Sequence, residues 1–571
     1  NKVKYFVPKG HRFLQEFIYY SSLELDFPLN EQIFVTTNFE DTKNKNFLIS
    51  NTKEISSELT ACEIDFYIKN SQDNLSNKIK NVSKLYEIAA TKYDFAQDIS
   101  YSQEVSKDVL LITNKSEDYD SFVSKVKEGD FELFSINENI LKEIKGHIGN
   151  LQVTVIDEDE EIVLNVSQIV WFDAKQAKKE RIGIFDANLS SVDEVIKTLK
   201  ANINSYSYKK FLTYDQNICQ YHERREEICS KCEEVCPTVA ITKDDKTKTL
   251  SFSQIDCHGC GGCISVCPSG ALDYAPSNKE ALFEMSKFYK DTHPLIIPQK
   301  MNIQDLEISV KQNVLPFAIE GEKFLHEASL LTLLQMSGSQ VIFYSDFLSK
   351  GTKESIKILN DIYQLKYQKD AILVAMNKEE LKQALEEVSF IENSYFNFNQ
   401  NGLKKREVFS QRLSKIVGDE DLGVVSTAEH IHYATIKVNQ DNCTLCLSCV
   451  GACNVDALIA NEADFSLRIN PSLCTACGYC EVSCPEKDCL TIVRDEIQLQ
   501  PLWFKENILA KDKLFACVEC GKEFATTKAI EKIANMMAPI FAKVSETKKR
   551  TLYCCEDCKA KLMIKQGLLD A

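Results

Sequence analysis

Cysteine is the residue type in this chain of 571 residues whose spacing points most directly to chemistry. Seven of the 23 cysteines recur at a constant offset of 217 positions, and one further cysteine precedes each set. Thiolates in such runs are ligands of iron–sulfur clusters or of zinc. The first set is Cys219, Cys229, Cys232, Cys236, Cys257, Cys260, Cys263 and Cys267, and the second is Cys443, Cys446, Cys449, Cys453, Cys474, Cys477, Cys480 and Cys484.

Three of the four cysteine runs have regular spacing. The runs from Cys257 and Cys474 read C-x2-C-x2-C-x3-C-P, and the run from Cys443 differs only in having Asn454 where the proline would be. Gaps of two residues let one tight loop supply three ligands to a [4Fe–4S] cluster, and the fourth cysteine serves the neighbouring cluster. Zinc sites usually combine pairs of C-x2-C, and disulfides are rare without a secretory signal. The spacing therefore predicts iron–sulfur clusters.

The fourth run is irregular. A regular motif would begin at Glu226, but the nearest upstream cysteine is Cys219, which implies an insertion of seven residues in the wrapping loop. His222 lies in this insertion and is an alternative ligand to Cys219. Crosswise pairing of the runs predicts four clusters. The predicted ligand sets are Cys219, Cys229, Cys232 and Cys267; Cys257, Cys260, Cys263 and Cys236; Cys443, Cys446, Cys449 and Cys484; and Cys474, Cys477, Cys480 and Cys453.

Each cysteine set resembles a bacterial two-cluster ferredoxin, and both sets separate their two runs by the same number of residues. The resemblance covers a minority of the chain and implies two [4Fe–4S] clusters and electron transfer for each module. The departures are the long loop after Cys219 and the residue Asn454. Arg224 and Arg225 in the inserted loop could raise the potential of the adjacent cluster or form a docking face, and a solvated loop is the alternative.

Two further C-x2-C knuckles lie near the C-terminus. Gly521 permits the tight turn that directs N–H groups at sulfur. Paired knuckles predict a tetrahedral four-thiolate site and resemble a zinc ribbon or treble-clef element. Zinc is the favoured metal, and a single rubredoxin-like iron is the alternative, because four thiolates bind either one. The predicted ligands are Cys517, Cys520, Cys555 and Cys558, with Cys554 as the spare cysteine.

The rest of the chain predicts α/β structure around the cysteine modules. In residues 1–205 the patterns predict strands at 109–113 and 131–135, helices at 121–127 and 138–145, and a hairpin of 151–156 with 162–172 across the acidic turn 157–161. In residues 291–432 they predict strands at 341–344 and 371–375 that alternate with helices at 353–365 and 378–388, which implies a parallel sheet. A helix at 527–543 should bury Met536, Met537, Ile540 and Phe541 in a small core or against the second module. Neither α/β region contains a glycine-rich nucleotide fingerprint.

A few polar groups and thiols stand outside these motifs. The stretch 320–326 is either a polar site or the start of a helix. His430 and His432 lie on a predicted strand without a third ligand nearby, and they are interpreted as surface residues. Cys62 and Cys489 are predicted to be buried, unliganded thiols, with Cys489 close to a cluster.

Composition and charge narrow the functional class. The net charge of −17 argues against nucleic acid as the main partner. Without a run of 18 apolar residues or a signal-peptide pattern, no membrane span is expected, and the many cysteines predict a reducing cytoplasm. The predicted fold is a multidomain α+β and α/β architecture of two ferredoxin-like modules, two α/β domains and a C-terminal four-cysteine element. The predicted boundaries are 1–205 for an α/β domain, 206–290 for the first module, 291–432 for the second α/β domain, 433–500 for the second module and 501–571 for the C-terminal element.

Four clusters in one chain predict an electron relay. The expected role is an iron–sulfur electron-transfer subunit or dedicated partner of a larger cytoplasmic oxidoreductase, such as a formate dehydrogenase or a hydrogenase. The chain itself is expected to be non-catalytic. The alternatives are a catalytic subunit with a substrate or flavin site in an α/β domain, and a redox-sensing or assembly protein.

Overall fold

Three parallel sheets of four strands form the framework of the α/β regions. The computed structural model describes residues 17–29, 33–43, 47–97, 99–127, 129–157, 160–172, 179–541 and 546–565. With strands numbered along the chain, each of the three sheets has the order 2-1-3-4. The first contains Phe17–Tyr20, Val35–Thr36, Phe47–Ser50 and Leu59–Thr60; the second, Asp108–Ile112, Glu132–Ile136, Gln168–Trp171 and Ile184–Asp186; the third, His293–Pro298, Val314–Ile319, Val341–Tyr344 and Ile372–Ala375.

The first and third sheets belong to one continuous core with the first module. Helices Cys62–Asn70 and Leu75–Phe95 follow the first sheet, and Ser71 bridges to Val310 beside the third. The core runs from Tyr19 through Ile264, next to the cysteines, to Leu331. The first module is therefore enclosed by α/β structure on both sides.

The second sheet has its own two cores, which follow the alternation of side chains along a strand. Val109 and Leu111 face helices Ser116–Lys125 and Val192–Asn202. Leu110 faces the opposite side, which is covered by an antiparallel meander. The strands of this meander are Leu141–His147, Asn150–Asp157 and Glu160–Val166.

Two predictions in this region need correction. The helix predicted at 138–145 is wrong, because the chain forms a short 3₁₀ turn and then the strand Leu141–His147. Ile144 lies opposite Val153, so cross-strand apolar pairing outweighs the helix propensity of the local Glu and Lys residues. The predicted hairpin partner 162–172 ends at Val166, and Gln168–Trp171 belongs to the parallel sheet. Positions 158–159 of the predicted acidic turn lie outside the described residues.

The two modules repeat one arrangement. Each has an antiparallel pair at its ends, a hairpin in its middle and a short helix inside each cysteine run. In the first these elements are Leu212–Tyr214, Lys231–Glu234, Ile241–Asp244, Thr249–Phe252, Gly262–Ser265 and Leu272–Tyr274; in the second, Ala434–Val438, Ser448–Ala452, Leu458–Asn461, Ser466–Ile469, Tyr479–Val482 and Leu490–Arg494. Strand Asn507–Lys511 extends the second hairpin, and the second module has a core of its own.

The strands and helices predicted between 341 and 388 are confirmed. The helices around the third sheet are Lys279–Ser286, Glu327–Ser337, Lys350–Tyr367, Lys378–Glu387 and Lys405–Val417. The stretch 320–326 leads into a helix, because the His326 Nδ1 atom accepts the backbone N–H groups of the first turn. The strand predicted for His430 and His432 is wrong, since the strand begins at Ala434. His432 contacts Asp495 instead.

The C-terminal element is a hairpin followed by helices. Its elements are Leu514–Ala516, Glu523–Thr526, Thr527–Phe541, Glu546–Thr551 and Glu556–Lys565. The helix predicted at 527–543 is present through Phe541, and positions 542–545 lie outside the described residues. The predicted burial of Met536 and Ile540 is wrong: they are 60% and 57% exposed, while Ile530 and Ala534 form the buried side. The remaining strands are the pairs Ser100–Gln103 with Tyr206–Lys209 and Val424–Ser426 with Glu496–Gln498.

Candidate iron–sulfur and thiolate metal sites

The cysteines of the first module form two adjoining groups. Burial raises the pKa of the Cys232 thiol, and the nearby thiols of Cys267, Cys229 and Cys219 raise it further. Cys232 and these three cysteines form the Cys219 group. Burial also raises the pKa of Cys263, whose neighbours are Cys232, Cys257, Cys260 and Cys236. The last three and Cys263 form the Cys257 group. Because Cys232 is a neighbour of Cys263, the two groups meet at these residues.

The second module repeats this grouping. Burial raises the pKa of Cys449 to about 12, and the thiols that raise it further are Cys443, Cys446 and Cys484, which complete the Cys443 group. Burial raises the pKa of Cys480, whose neighbours are Cys474, Cys477, Cys453 and Cys449. The first three of these and Cys480 form the Cys474 group. Cys449 and Cys480 stand where the groups meet, 217 positions after Cys232 and Cys263.

The three regular wrapping loops share a backbone conformation. In each, the residues two and four positions after the first cysteine have left-handed φ values between 54° and 85°; they are Gly259, Gly261, Leu445, Leu447, Ala476 and Gly478. This conformation costs a residue with a side chain about 1–2 kcal/mol, so its presence at Leu445 and Leu447 reflects a demand of the site. The Gly259 N–H donates to Cys257 Sγ, and the Ala476 N–H donates to Cys474 Sγ, both at 3.4 Å. Donors directed at sulfur suit an anionic cluster.

The irregular loop positions Cys219 by other contacts. The Tyr221 N–H donates to Cys219 Sγ at 3.4 Å, and the buried Tyr214 hydroxyl lies beside the same thiol. Ser230 has a negative φ of −156° where the regular loops are left-handed. The His222 Nδ1 atom is buried and has no hydrogen-bond partner within the described part of the chain. Cys219 lies near the other three thiols of its group.

A fifth thiol stands beside the Cys443 group. Cys489 is buried, as predicted, and helps to line a small cavity together with Cys443, Cys446, Cys449 and Cys484. Burial raises the pKa of Cys489, and the thiols of Cys443 and Cys484 raise it further. The Cys489 thiol donates to the Asn439 carbonyl at 4.0 Å. Cys62 is buried as well and lies far along the chain, beside the third sheet.

The C-terminal element gathers four thiols. The Sγ atoms of Cys517, Cys520, Cys555 and Cys558 all lie within 4.8 Å of one another. Burial opposes ionisation of Cys517, but the backbone N–H groups of Cys555, Glu519 and Cys520 outweigh it and lower its pKa to about 6. A thiol that ionises readily is suited to bind a metal. The Cys554 thiol donates to the Arg550 carbonyl at 3.4 Å instead.

The C-terminal element rests on one wrapping loop of the second module. Thr526 Oγ1 donates to the carbonyl of Thr444, the residue after Cys443, at 3.0 Å. Thr444 Oγ1 in turn donates to Glu486 at 2.8 Å, and Lys532 pairs with Glu486 and lowers the pKa of that carboxyl. The four-thiol element therefore covers part of the Cys443 group. Cys446 is nevertheless exposed, unlike the other fifteen repeat cysteines.

Comparison with known proteins supports iron–sulfur binding. A family model described as a 4Fe-4S dicluster domain matches residues 228–271, and one described as a 4Fe-4S binding domain matches residues 467–487. These two segments are 4Fe–4S ferredoxin-type domains. No curated protein matches the chain. Cys219 and the run from Cys443 to Cys453 lie outside both matched segments.

The ferredoxin-type domains indicate iron–sulfur electron transfer. They occur in a chain of mixed α and β structure that also carries the C-terminal group of four cysteines. Among the residues that the structure describes, no helix combines the length and the apolar character needed to span a membrane.

Proposed function

We propose that this chain is an electron-transfer protein with four [4Fe–4S] clusters, two in each ferredoxin module, at 206–290 and 433–500. The observation that supports the proposal is that the thiols near Cys232 and Cys263 have counterparts near Cys449 and Cys480, and that seven of the eight cysteines in each set recur at the offset of 217. A [4Fe–4S] cluster accepts and releases one electron with little structural change. The ligands are the Cys219, Cys257, Cys443 and Cys474 groups.

The surroundings of the Cys219 group support this role. Lys405 Nζ donates to the Cys267 carbonyl at 3.0 Å, and Arg406 Nε donates to the Pro268 carbonyl at 2.9 Å. Both cations are buried, and Glu327 balances one of them through an ion pair with Lys405 at 3.1 Å. A net buried positive charge beside a cluster favours its reduced, more negative state and raises its potential.

We further propose that the chain works in the cytoplasm as a subunit or dedicated partner of a larger oxidoreductase, such as a formate dehydrogenase or a hydrogenase. Four redox centres, two α/β regions and a C-terminal metal element exceed what a diffusible carrier needs. The exposed Cys446 and its neighbour Leu447, which is 40% exposed, offer a place where an electron can enter or leave. Zinc is the proposed metal at the C-terminal site, where it stabilises the element.

The cavity beside the first module does not favour a catalytic role. Its lining includes His326, Thr332, Gln400 and Lys405. These groups already bond within the protein: His326 to its own helix, Thr332 and Arg412 to Gln400, and Lys405 to Glu327. Electron transfer is therefore the better supported function.

The first test is the metal and sulfide content of the protein purified without oxygen. We expect about sixteen iron, sixteen sulfide and one zinc per chain, from four cubanes and one tetrahedral site. Reduction and reoxidation should be reversible without loss of iron, which separates electron transfer from oxygen sensing. About eight iron or fewer would contradict a four-cluster relay.

A further inference from the structure

The two places where the modules depart from the cysteine repeat, the inserted loop after Cys219 and Asn454, are in contact. Gln220, at the start of the inserted loop, is 2% exposed, and its Nε2 donates to Asn454 Oδ1 at 2.8 Å. Asn454 Nδ2 donates to the carbonyls of Asn217 and Cys219 at 2.9 and 3.1 Å. The residue that replaces the proline of the second module is thus bonded to the loop that is inserted in the first.

A second contact extends the same junction. Arg224 donates to the Ala452 carbonyl at 2.9 Å, and its guanidinium lies 4.5 Å from the ring centroid of Tyr479. The Arg225 N–H donates to the Tyr479 hydroxyl at 3.4 Å, while its side chain is exposed. Ala452 directly precedes Cys453, and Tyr479 directly precedes Cys480, so Arg224 contacts residues adjacent to two cysteines of the Cys474 group. A charge-assisted hydrogen bond with a cation–π contact makes this a strong local interaction.

The first turn of helix Lys405–Val417 adds a third set of contacts at this junction. Arg406 donates to the carbonyls of Pro268 in the first module and of His432, the residue just before the second module, at 2.9 and 2.8 Å. Its guanidinium stacks 3.7 Å from the ring centroid of Tyr433. The Cys474 thiol lies within its electrostatic reach. The cations at this junction therefore lie between two cysteine groups of different modules.

The hydrogen bonds of Asn454 to the inserted loop take the place of the restraint that a proline would supply. The equivalent of Asn454 in the first module is Pro237, which ends the wrapping segment by its fixed φ. Asn454 lacks that restraint but gains three amide hydrogen bonds to the other module. The inserted residues lengthen the loop of the first module, and the longer loop reaches the second module, where Gln220 contacts Asn454.

We propose that the inserted loop is an intramolecular clamp that holds the Cys219 group against the Cys474 group, so that electrons cross between the modules there. This inference rests on the proposed four-cluster function. It gives the chain of centres one order: the Cys257 group, the Cys219 group, the Cys474 group and the Cys443 group, with the C-terminal element at the far end. Gln220, Arg224 and Asn454 are positioning residues for that transfer.

Hydrogen exchange of the full-length protein, purified without oxygen, tests the clamp. Arg224→Gln removes the charged contact, and Arg225→Gln is a matched control because that side chain is exposed. We expect backbone exchange in 219–227 and 450–456 to accelerate about tenfold in Arg224→Gln, which corresponds to about 1.4 kcal/mol and to one hydrogen bond to a charged group. The control should exchange like the parent protein. Equal exchange in all three proteins would overturn the clamp.

Electron distribution tests the crossing itself. The double variant Arg224→Gln/Asn454→Ala and the parent are reduced with less than one electron per chain and frozen after increasing delays for EPR. We expect a slower redistribution of the electron between the two modules in the variant, and a more negative potential for one cluster of the second module, because a nearby positive charge is lost. Unchanged redistribution, despite faster hydrogen exchange, would overturn the crossing.

The two hypotheses fail in different ways. A parent protein with about eight iron or fewer contradicts the four-cluster function before any variant is compared. A parent with its full iron content and a variant that behaves identically contradicts the clamp alone. Iron analysis of each variant shows whether a change in the EPR signal arises from a lost cluster.

Discussion

The two ferredoxin-type modules share the spacing of seven cysteines but differ in everything that surrounds them. The first is part of the large core that joins two parallel sheets, and none of its cysteines is exposed. The second has a separate core, an exposed Cys446, a fifth thiol at Cys489 and a C-terminal element on its wrapping loop. The repeated spacing reflects the positions that the thiols need as ligands. The residues that depart from the repeat lie where each module contacts another part of the molecule or solvent.

The largest effect should follow from removing the irregular ligand. Cys219→Ala deletes one of four thiols, so we expect iron to fall from about sixteen to about twelve per chain, with loss of one EPR signal. His222→Ala is the matched change in the same loop, and it should leave the iron content unchanged. Loss of iron in His222→Ala with retention in Cys219→Ala would assign the ligand to His222. That result would make the two modules chemically different as well as structurally different.

The C-terminal element offers a smaller but equally clear contrast between adjacent cysteines. Cys555→Ala should remove the single bound metal, because its thiol belongs to the group of four. Cys554→Ala should retain it, because that thiol donates to a backbone carbonyl. The measurement is zinc and iron content of each variant. The reverse pattern would show that Cys554 is the ligand and would place the knuckle one residue earlier.

The cysteine groups are a prediction that the sequence alone can make, because ligand spacing within a short loop is a local property. It could not predict the junction between modules, since Gln220 and Asn454 are 234 positions apart and only the folded chain brings them together. Leu445 and Leu447 carry left-handed backbone that no residue preference indicates. Apolar pairing across the meander turned the stretch around Ile144 from a predicted helix into a strand.

The first module contains a buried carboxyl group, Asp273, whose charge depends on pH and which the second module lacks at the equivalent position. Its counterpart at the offset of 217 is Leu490. Burial raises the pKa of Asp273 from 3.8 to about 6, although the N–H groups of Lys279 and Tyr274 oppose the rise. A carboxyl whose pKa is raised on folding destabilises the fold increasingly as pH rises from 3.8 to about 6, and then by a constant amount.

We therefore expect the first module to lose about 1 kcal/mol of stability between pH 5 and pH 8 through this residue. Asp273→Asn removes the charge but keeps an acceptor for only one of the two N–H groups, because the Tyr274 N–H donates to Oδ1 and the Lys279 N–H donates to Oδ2. It should therefore flatten the pH dependence of stability. Hydrogen exchange of the strand Leu272–Tyr274 measures the effect locally. If the variant and the parent have the same pH profile, ionisation of Asp273 does not lower the free energy of unfolding.

The smallest expected effect concerns the fifth thiol. Position 489 corresponds to Leu272 in the first module, so only the second module has a thiol that can donate to cluster ligands. Hydrogen bonds to sulfur raise the potential of an iron–sulfur cluster. Cys489→Ala should therefore make the potential of one cluster in the second module more negative, with the iron content unchanged. An EPR-monitored redox titration measures this shift.

Cys62→Ala is the control for that experiment, because it removes another buried thiol at a site beside the third sheet. It should leave all cluster potentials as they are. If both variants shift the same potential, the cause is a general loosening of the fold. In that case the thiol of Cys489 does not tune the cluster potential, and its replacement by Leu272 in the first module has no effect on potential. If Cys489→Ala instead loses iron, the fifth thiol is a ligand, and the second module departs from the repeat in its coordination as well as in its surroundings.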